Sequence, residues 1–254
     1  MTTWVLLRGL ARESRHWGGF ADALQQRLPP GHRVCAIDLP GTGRLWHESS
    51  PGTVTGLVQA ARREYARKQR DAQCVLVALS LGGMVAREWA LQDPHGVRAC
   101  VLINTSLGGL APFWQRLRPA SYPTLLAMLR PGLSALQREQ SILRLTSNLP
   151  VDQALAADWA GFTESAPVSR GNALRQLAAA AHYRDKLRPP SVPTLLLASR
   201  RDRLVSVACS RRIAQAWGVP LREHPDAGHD LPLDDPAWVM EAITHWYALG
   251  AEPK

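Results

Sequence analysis

Lysine is nearly missing from this 254-residue chain: only Lys68, Lys186 and Lys254 are lysine among 30 basic residues, and the rest are arginine. Cysteine is also sparse. The four, Cys35, Cys74, Cys100 and Cys209, lie too far apart for a zinc knuckle or a redox pair. Three of them sit in or beside apolar runs, which predicts free, mostly buried thiols. Long apolar stretches are absent, and none reaches the roughly 18 residues that a membrane span needs. The opening MTTWVLLRGLARESRHW has no basic leader followed by a long apolar segment, so the expectation is a cytoplasmic protein with no membrane span. Neither a nucleic-acid-binding module nor aromatics interleaved with the basic runs appears, which excludes nucleic acid as the expected partner. There is no helix-spaced His-Glu-x-x-His pair, so no metal is expected. Gly41-x-Gly43 follows a strand-like run but lacks the third glycine and the helix of a dinucleotide site. The expected cofactor set is therefore empty.

What remains is ordinary globular material, 46% hydrophobic, with a formal charge of +9. Such a length suits one large domain, or a core carrying an insert. The charge favours acidic partners or substrates, although an arginine bias also follows from genomic base composition. The densest basic run, Arg62 to Arg70, reads as the solvated face of a helix.

Short apolar runs alternate with helical patterns. Strands are predicted at Trp4–Leu7, Arg33–Leu39, Cys74–Leu79, Val97–Thr105, Thr194–Ser199 and Pro220–Pro225. Helices are predicted at Trp17–Leu28, Thr55–Gln69, Gly82–Leu91, Ser206–Trp217 and Pro236–Leu249. This alternation implies an α/β fold: a mostly parallel sheet covered on both faces and joined by right-handed crossovers. An additional hairpin near Val5 is compatible with the pattern. Between residues 106 and 190 the strand signals stop. Helical spacing appears at Leu125–Leu129, Leu136–Leu145 and Asn172–Ala181, punctuated by prolines such as Pro131. The expected organisation is a core of residues 1–105 and 191–254, with a helical insert at 106–190.

The chemistry centres on VLVALSLGGMV. Ser80 closes an apolar strand and opens a helix, as a nucleophile does at a strained strand-to-helix elbow. The positions two before and two after it must be small, and Ala78 and Gly82 are. A helix N-cap is the other reading of such a serine. A serine nucleophile needs a base. His229, in HPDAGHDLPLDDP, follows the last strand-like run and precedes the last helix. The imidazole needs an acid to fix its tautomer. Asp202, just past the strand at Thr194–Ser199, is the first candidate, and Asp226, Asp230, Asp234 and Asp235 are alternatives. Asp38 reads as a loop support.

LLRGL, AIDLPGTG, VALSLGGMVA, the strand leading to Asp202 and Val205, and AGHDLPLDDP occur in this order. Together they resemble the α/β-hydrolase superfamily over residues 4–105 and 192–247. The resemblance implies an α/β-hydrolase fold with a helical cap insert and the chain order Ser80, Asp202, His229 for nucleophile, acid and base. It implies oxyanion donors at the backbone N–H of Leu81 and of Leu10, although Arg8 stands where the family usually has histidine. The insert would roof an acyl pocket with Trp114, Leu125, Met128 and Trp159 as walls, although packing within the insert explains these equally, and His16 and Trp17 would line the mouth, with a surface place the other reading of His16.

Serine at the elbow disfavours the aspartyl-ester chemistry of dehalogenases and epoxide hydrolases. Length, the single insert and WVLLRG…DLPG…LSLGG are similar to the pimeloyl-carrier methyl ester esterases and their carboxylesterase relatives. That similarity implies a carboxylesterase (EC 3.1.1-type) acting on small-molecule esters or thioesters through an acyl-serine. It also suggests an acidic acyl carrier protein docking on a basic cap, where Arg116, Arg118, Arg130, Arg138, Arg144, Arg170, Arg175, Arg184 and Arg188 lie. Two other functions fit the same residues: a cofactor-free lyase or oxygenase using His229 as base, and a silent, hydrolase-like binding protein.

Overall fold

The inner strand-like runs are buried on both sides, and that decides the architecture. β1 (Thr2–Leu7), β3 (Cys74–Leu79) and β5 (Thr194–Ser199) are buried at every position. With β2 (His32–Ile37), β4 (Val97–Ile103) and β6 (Leu221–His224) they form one sheet of order β2-β1-β3-β4-β5-β6. All its pairings are parallel. The computed structural model describes residues 2–68, 73–128, 130, 132–184 and 188–251. The predicted helix ends at Gln69 and Leu129, the end of the basic run at Arg70, and Pro131 lie outside the described residues. No hairpin surrounds Val5, because β1 pairs with parallel neighbours on both sides.

Side chains alternate between the two faces of the sheet, as a two-residue period requires. Val5, Leu7, Leu76, Ala78 and Leu102 pack against α2 (Val54–Lys68), α3 (Leu81–Gln92) and α9 (Val207–Trp217). Trp4, Leu6, Val75, Val77 and Val101 pack on the opposite face against α1 (Phe20–Arg27) and α11 (Pro236–Trp246), which follows the short α10 (Leu231–Asp234). The four cysteines are buried and form no disulfide among the described residues. Burial pushes the thiols of Cys74 and Cys209 up to about 12, which keeps them protonated and unreactive.

Between β4 and β5 the chain forms α4 (Phe113–Arg116), α5 (Tyr122–Ala127), α6 (Ala135–Thr146), α7 (Gln153–Ser165) and α8 (Arg170–His182). Helix α7 carries no clear apolar stripe in the sequence. Its start is nonetheless marked by Asp152, whose carboxylate accepts the N–H groups of Ala154 and Leu155, a standard N-cap arrangement. Leu143, Ala156 and Trp159 give this helical segment a small core of its own.

Buried amides tie the segment to the sheet. Gln176 Oε1 accepts from Ala11 N–H at 2.8 Å, and its Nε2 donates to the Pro40 carbonyl. Asn172 accepts from Ser50 N–H and donates to the Glu48 carbonyl. Because the strands are parallel, the loops leaving β1, β3, β5 and β6 all open on the carboxyl edge, where α/β proteins build their sites.

Gly82 is where backbone crowds backbone on that edge. A Cβ there would sit 2.6 Å from the Leu7 carbonyl oxygen and 2.7 Å from that of Arg8, and backbone cannot yield as a flexible side chain does. Gly82→Ala is therefore expected to lower stability by about 1–3 kcal/mol, as overpacking does. Thermal or urea unfolding measures this, and an unchanged midpoint would contradict the packing described.

Candidate active site

Ser80 links β3 to α3 with φ 58° and ψ −117°. A non-glycine residue held there stores about 1–3 kcal/mol of strain, so its surroundings must fix it. The Ser80 N–H donates to the Ile103 carbonyl at 2.9 Å. Its own carbonyl accepts from Gly83 N–H at 2.9 Å and from the Thr105 hydroxyl at 2.8 Å. Ala78, two residues earlier, lies between Leu7 and Leu102 in the sheet register and is fully buried. The N-cap reading of Ser80 fails, since its side chain makes no capping bond.

Asp202 leaves β5 in a tight turn. Its Oδ1 accepts the N–H groups of Leu204 and Val205 at 2.7 and 2.8 Å. Its Oδ2 lies 2.7 Å from His229 Nδ1, and both side chains are buried. An ionised carboxylate only accepts, so Nδ1 carries the proton and Nε2 is left with its lone pair. None of the alternative acids makes this bond: Asp234 binds the Ser147 hydroxyl and two backbone N–H groups, and Asp235 caps α11. Asp38 accepts from the N–H groups of Ser14 and Arg44 and so holds its loop.

Burial pulls the affinity of His229 for a proton down. The charge and hydrogen bond of Asp202 push it up, as does the charge of Asp230, while Arg8 opposes them. The net direction is upward from the usual 6.5.

Gly9 brings the loop after β1 onto the elbow: a Cβ at Gly9 would lie 3.1 Å from Ser80 Cβ and 3.6 Å from its Oγ. Leu10, the next residue, is half-buried. Leu81 is the first residue of α3, where backbone N–H groups lack intrahelical partners. Arg8 is buried beneath this loop. Its Nη1 and Nη2 donate to the two carboxylate oxygens of Asp230 at 3.0 and 2.5 Å, and its guanidinium lies 5.0 Å over Trp17.

The remaining expected pocket residues separate into two groups. His16 and Trp159 meet edge-on at 4.8 Å. Arg12 lies over Trp159, pairs with Glu139 of α6 at 2.7 Å, and also faces His16 Nε2 at 3.0 Å. Burial and the neighbouring charges of Arg12 and Arg8 hold His16 well below the usual histidine range, hence neutral. A guanidinium only donates, so Nε2 accepts from Arg12, while Nδ1 lies 3.1 Å from the Glu13 N–H and 3.3 Å from the Glu13 carbonyl. Trp17 stacks on Phe20 within the sheet's core. Leu125 and Met128 are half-buried, whereas Trp114 is 53% exposed and packs edge-on against Phe113. A separate cleft of about 600 Å³ is lined by Arg118, Arg144 and Arg203 together with Thr124, Ser141 and Leu145. It has no carboxylate in its lining and does not reach Ser80 or His229.

One residue escaped the sequence reading. Asn104, at the end of β4, is buried with φ 44°. Its Nδ2 donates to the His229 carbonyl at 2.8 Å and to the Ser199 hydroxyl, and its Oδ1 accepts from Ser199 N–H. It thereby fastens the histidine loop to the ends of β4 and β5. The available signal was its type and place, since asparagine tolerates a left-handed backbone at strand ends.

Comparison with known proteins gives the family and the fold. The model of the family described as alpha/beta hydrolase family matches residues 4–242. A pimeloyl-acyl-carrier protein methyl ester esterase of Aeromonas hydrophila subsp. hydrophila is 28% identical over 256 residues, covering 95% of this chain and 94% of that protein. A protein of Variovorax paradoxus (strain S110) named as a carbamate hydrolase, RutD, is 31% identical over 261 residues, covering 98% and 92%. Among solved structures, a thermophilic esterase from Thermogutta terrifontis superposes with a TM-score of 0.72 at 21% identity, covering 98% of this chain and 90% of that one. At that identity it shares the fold alone. No helix among the described residues is long and apolar enough to cross a membrane.

The His229–Asp202 contact sets a titration. His229 is expected to titrate above 6.5, and Asp202→Asn is expected to lower that midpoint by roughly 1–3 units. Ring-nitrogen NMR of the full chain reads both. A midpoint below 6.5, or one unmoved by the substitution, would refute the assigned pairing.

Proposed function

The chain belongs to the alpha/beta hydrolase family, and from that premise we propose that it is a serine hydrolase of carboxylic esters or thioesters. The observation that carries the proposal is the conjunction of a strained Ser80 at φ 58° with a buried His229 held 2.7 Å from Asp202. His229 Nε2 takes the Ser80 proton as Oγ attacks the acyl carbon. The backbone N–H groups of Leu81 and Leu10 receive the developing oxyanion, a contribution of about 3–4 kcal/mol per donor. His229 then hands its proton to the departing alcohol or thiol. Water repeats the sequence on the acyl-enzyme and frees the acid, while Asp202 stays ionised and orients the imidazole. In this reading residues 106–190 cap a core of residues 1–105 and 191–254. Two relatives are named for cleaving an ester and a carbamate, both acyl bonds to a heteroatom, and this favours acyl transfer over lyase or oxygenase chemistry.

A carrier-borne acyl group is the substrate form that the charge distribution favours. The chain is +9, and the cleft beside the Asp202 turn is lined by three arginines and no carboxylate. Arg118 in that cleft also donates to the Asp202 carbonyl at 2.7 Å. An acidic acyl carrier protein docked there would depend on salt, since exposed charges are screened within about 10 Å at 0.1 M.

A fluorophosphonate probe should label the wild-type chain on Ser80 and leave Ser80→Ala unlabelled. A panel of short and medium acyl esters should be turned over by the former only. An unlabelled wild type that turns over no ester would return the silent binding protein or the lyase to first place. Hydrolysis of an ester on an acidic carrier should weaken as salt rises while hydrolysis of a small neutral ester does not. Equal salt responses would remove the carrier from the proposal.

A further inference from the structure

We propose that Arg8 is a positioning residue: its buried ion pair with Asp230 fastens the loop over Ser80 to the loop that carries His229, and it neutralises the carboxylate beside the imidazole. The inference rests on the proposed roles of Ser80 and His229. Arg8 immediately precedes Gly9, whose backbone presses on Ser80, and Asp230 immediately follows His229. The two residues are 222 positions apart in the chain, yet their side chains are 3% and 4% exposed and meet through two parallel N–H donors. Arg8 Nε makes no hydrogen bond among the described residues. The guanidinium is therefore held by Asp230 at one end and by the Trp17 ring beneath.

Two consequences follow from the chemistry of this pair. The first is geometric. A guanidinium fork grips a carboxylate at two points and fixes its orientation. A neutral imidazole offers one donor, and an ammonium is a point charge without a fork. The histidine usual at this place in the family could not clamp Asp230 in the same way. Asp230 is fixed from its other side as well, since its N–H donates to the Thr146 carbonyl at 2.7 Å at the end of α6. The clamp thus joins three parts: the loop after β1, the histidine loop and the helical segment.

The second consequence is electrostatic. The charged groups facing His229 are Asp202, Asp230 and Arg8. An unpaired carboxylate at position 230 would favour the imidazolium and hold the base in its inactive form. Arg8 opposes that charge, which leaves burial and Asp202 as the main influences on the base. A purely packing role for Arg8 would leave the proton affinity of His229 untouched.

The test compares wild type with Arg8→Met, Asp230→Asn, Arg8→Lys and the double variant Arg8→Met/Asp230→Leu. Two readouts are taken: the ring-nitrogen NMR titration of His229, and the acid limb of kcat/KM on a small ester. Arg8→Met should move both upward, and Asp230→Asn both downward, each on the order of one pH unit. The double variant should return close to wild type. Arg8→Lys should leave the titration in place and reduce kcat roughly ten- to a hundredfold, the cost of a loosened loop, with little change in KM. Shifts of the same sign in the two single variants, or titrations that coincide with wild type, would overturn the electrostatic claim. An undiminished kcat in Arg8→Lys would overturn the clamp. If Arg8→Met does not fold, Asp230→Asn and Arg8→Lys decide alone. The NMR titration needs no turnover, so it tests Arg8 even if Ser80 proves not to be the nucleophile. Absence of fluorophosphonate labelling reports that other failure separately.

Discussion

Everything at the carboxyl edge depends on one backbone turn that a residue with a side chain does not adopt readily. Ser80 sits at φ 58° because β3 must end and α3 must begin within a single residue. The turn drives α3 so close to β1 that Gly82 lies against the carbonyls of Leu7 and Arg8. Thr105 and Ile103 hold the serine backbone from the β4 side. Strain of this kind persists only where neighbours over-determine it, and here they come from β1, β3 and β4 at once. The consequence is a hydroxyl that lies against the loop after β1 at Gly9.

Two arginines at this edge are withdrawn from solvent, Arg8 buried and Arg12 half-buried. Arg8 pairs with Asp230 and Arg12 with Glu139. Each lies over an indole, Arg8 over Trp17 and Arg12 over Trp159, so apolar surface backs the guanidinium face while the fork makes directed bonds. Breaking one partner of such a pair leaves a desolvated charge, which costs more than the pair itself contributes. Arginine suits these places because it stays charged when buried. Burial together with the same cations keeps His16 neutral, whereas the proton affinity of His229 is raised.

How much of this the sequence discloses depends on whether the signal is local. Ser80 with Ala78 and Gly82, the strand before Asp202 and the loop holding His229 are local patterns, and the six strands follow from apolar runs. The partners are not local. Nothing in the one-dimensional pattern selects Asp230 for Arg8 from among many arginines and several nearby aspartates. Asn104 reads as an ordinary strand end until β5 and the histidine loop are placed beside it. Trp17 reads as a pocket-mouth residue, yet it packs in the core beneath Arg8. Helix α7 is rich in alanine and broken by Gly161, so its apolar stripe is too diluted to stand out, and only its Asp152 cap marks it.

The proposed mechanism has Ser80 form a covalent acyl intermediate under the control of His229. The most direct measurement is a rapid-mixing experiment with an activated aryl ester, followed by quenching and peptide mass spectrometry. The expected result is a burst of phenol stoichiometric with the chain and an acyl mass gain confined to the peptide bearing Ser80, with the burst abolished in His229→Ala. Turnover without a burst or adduct, or an adduct carried by any other residue, would contradict it.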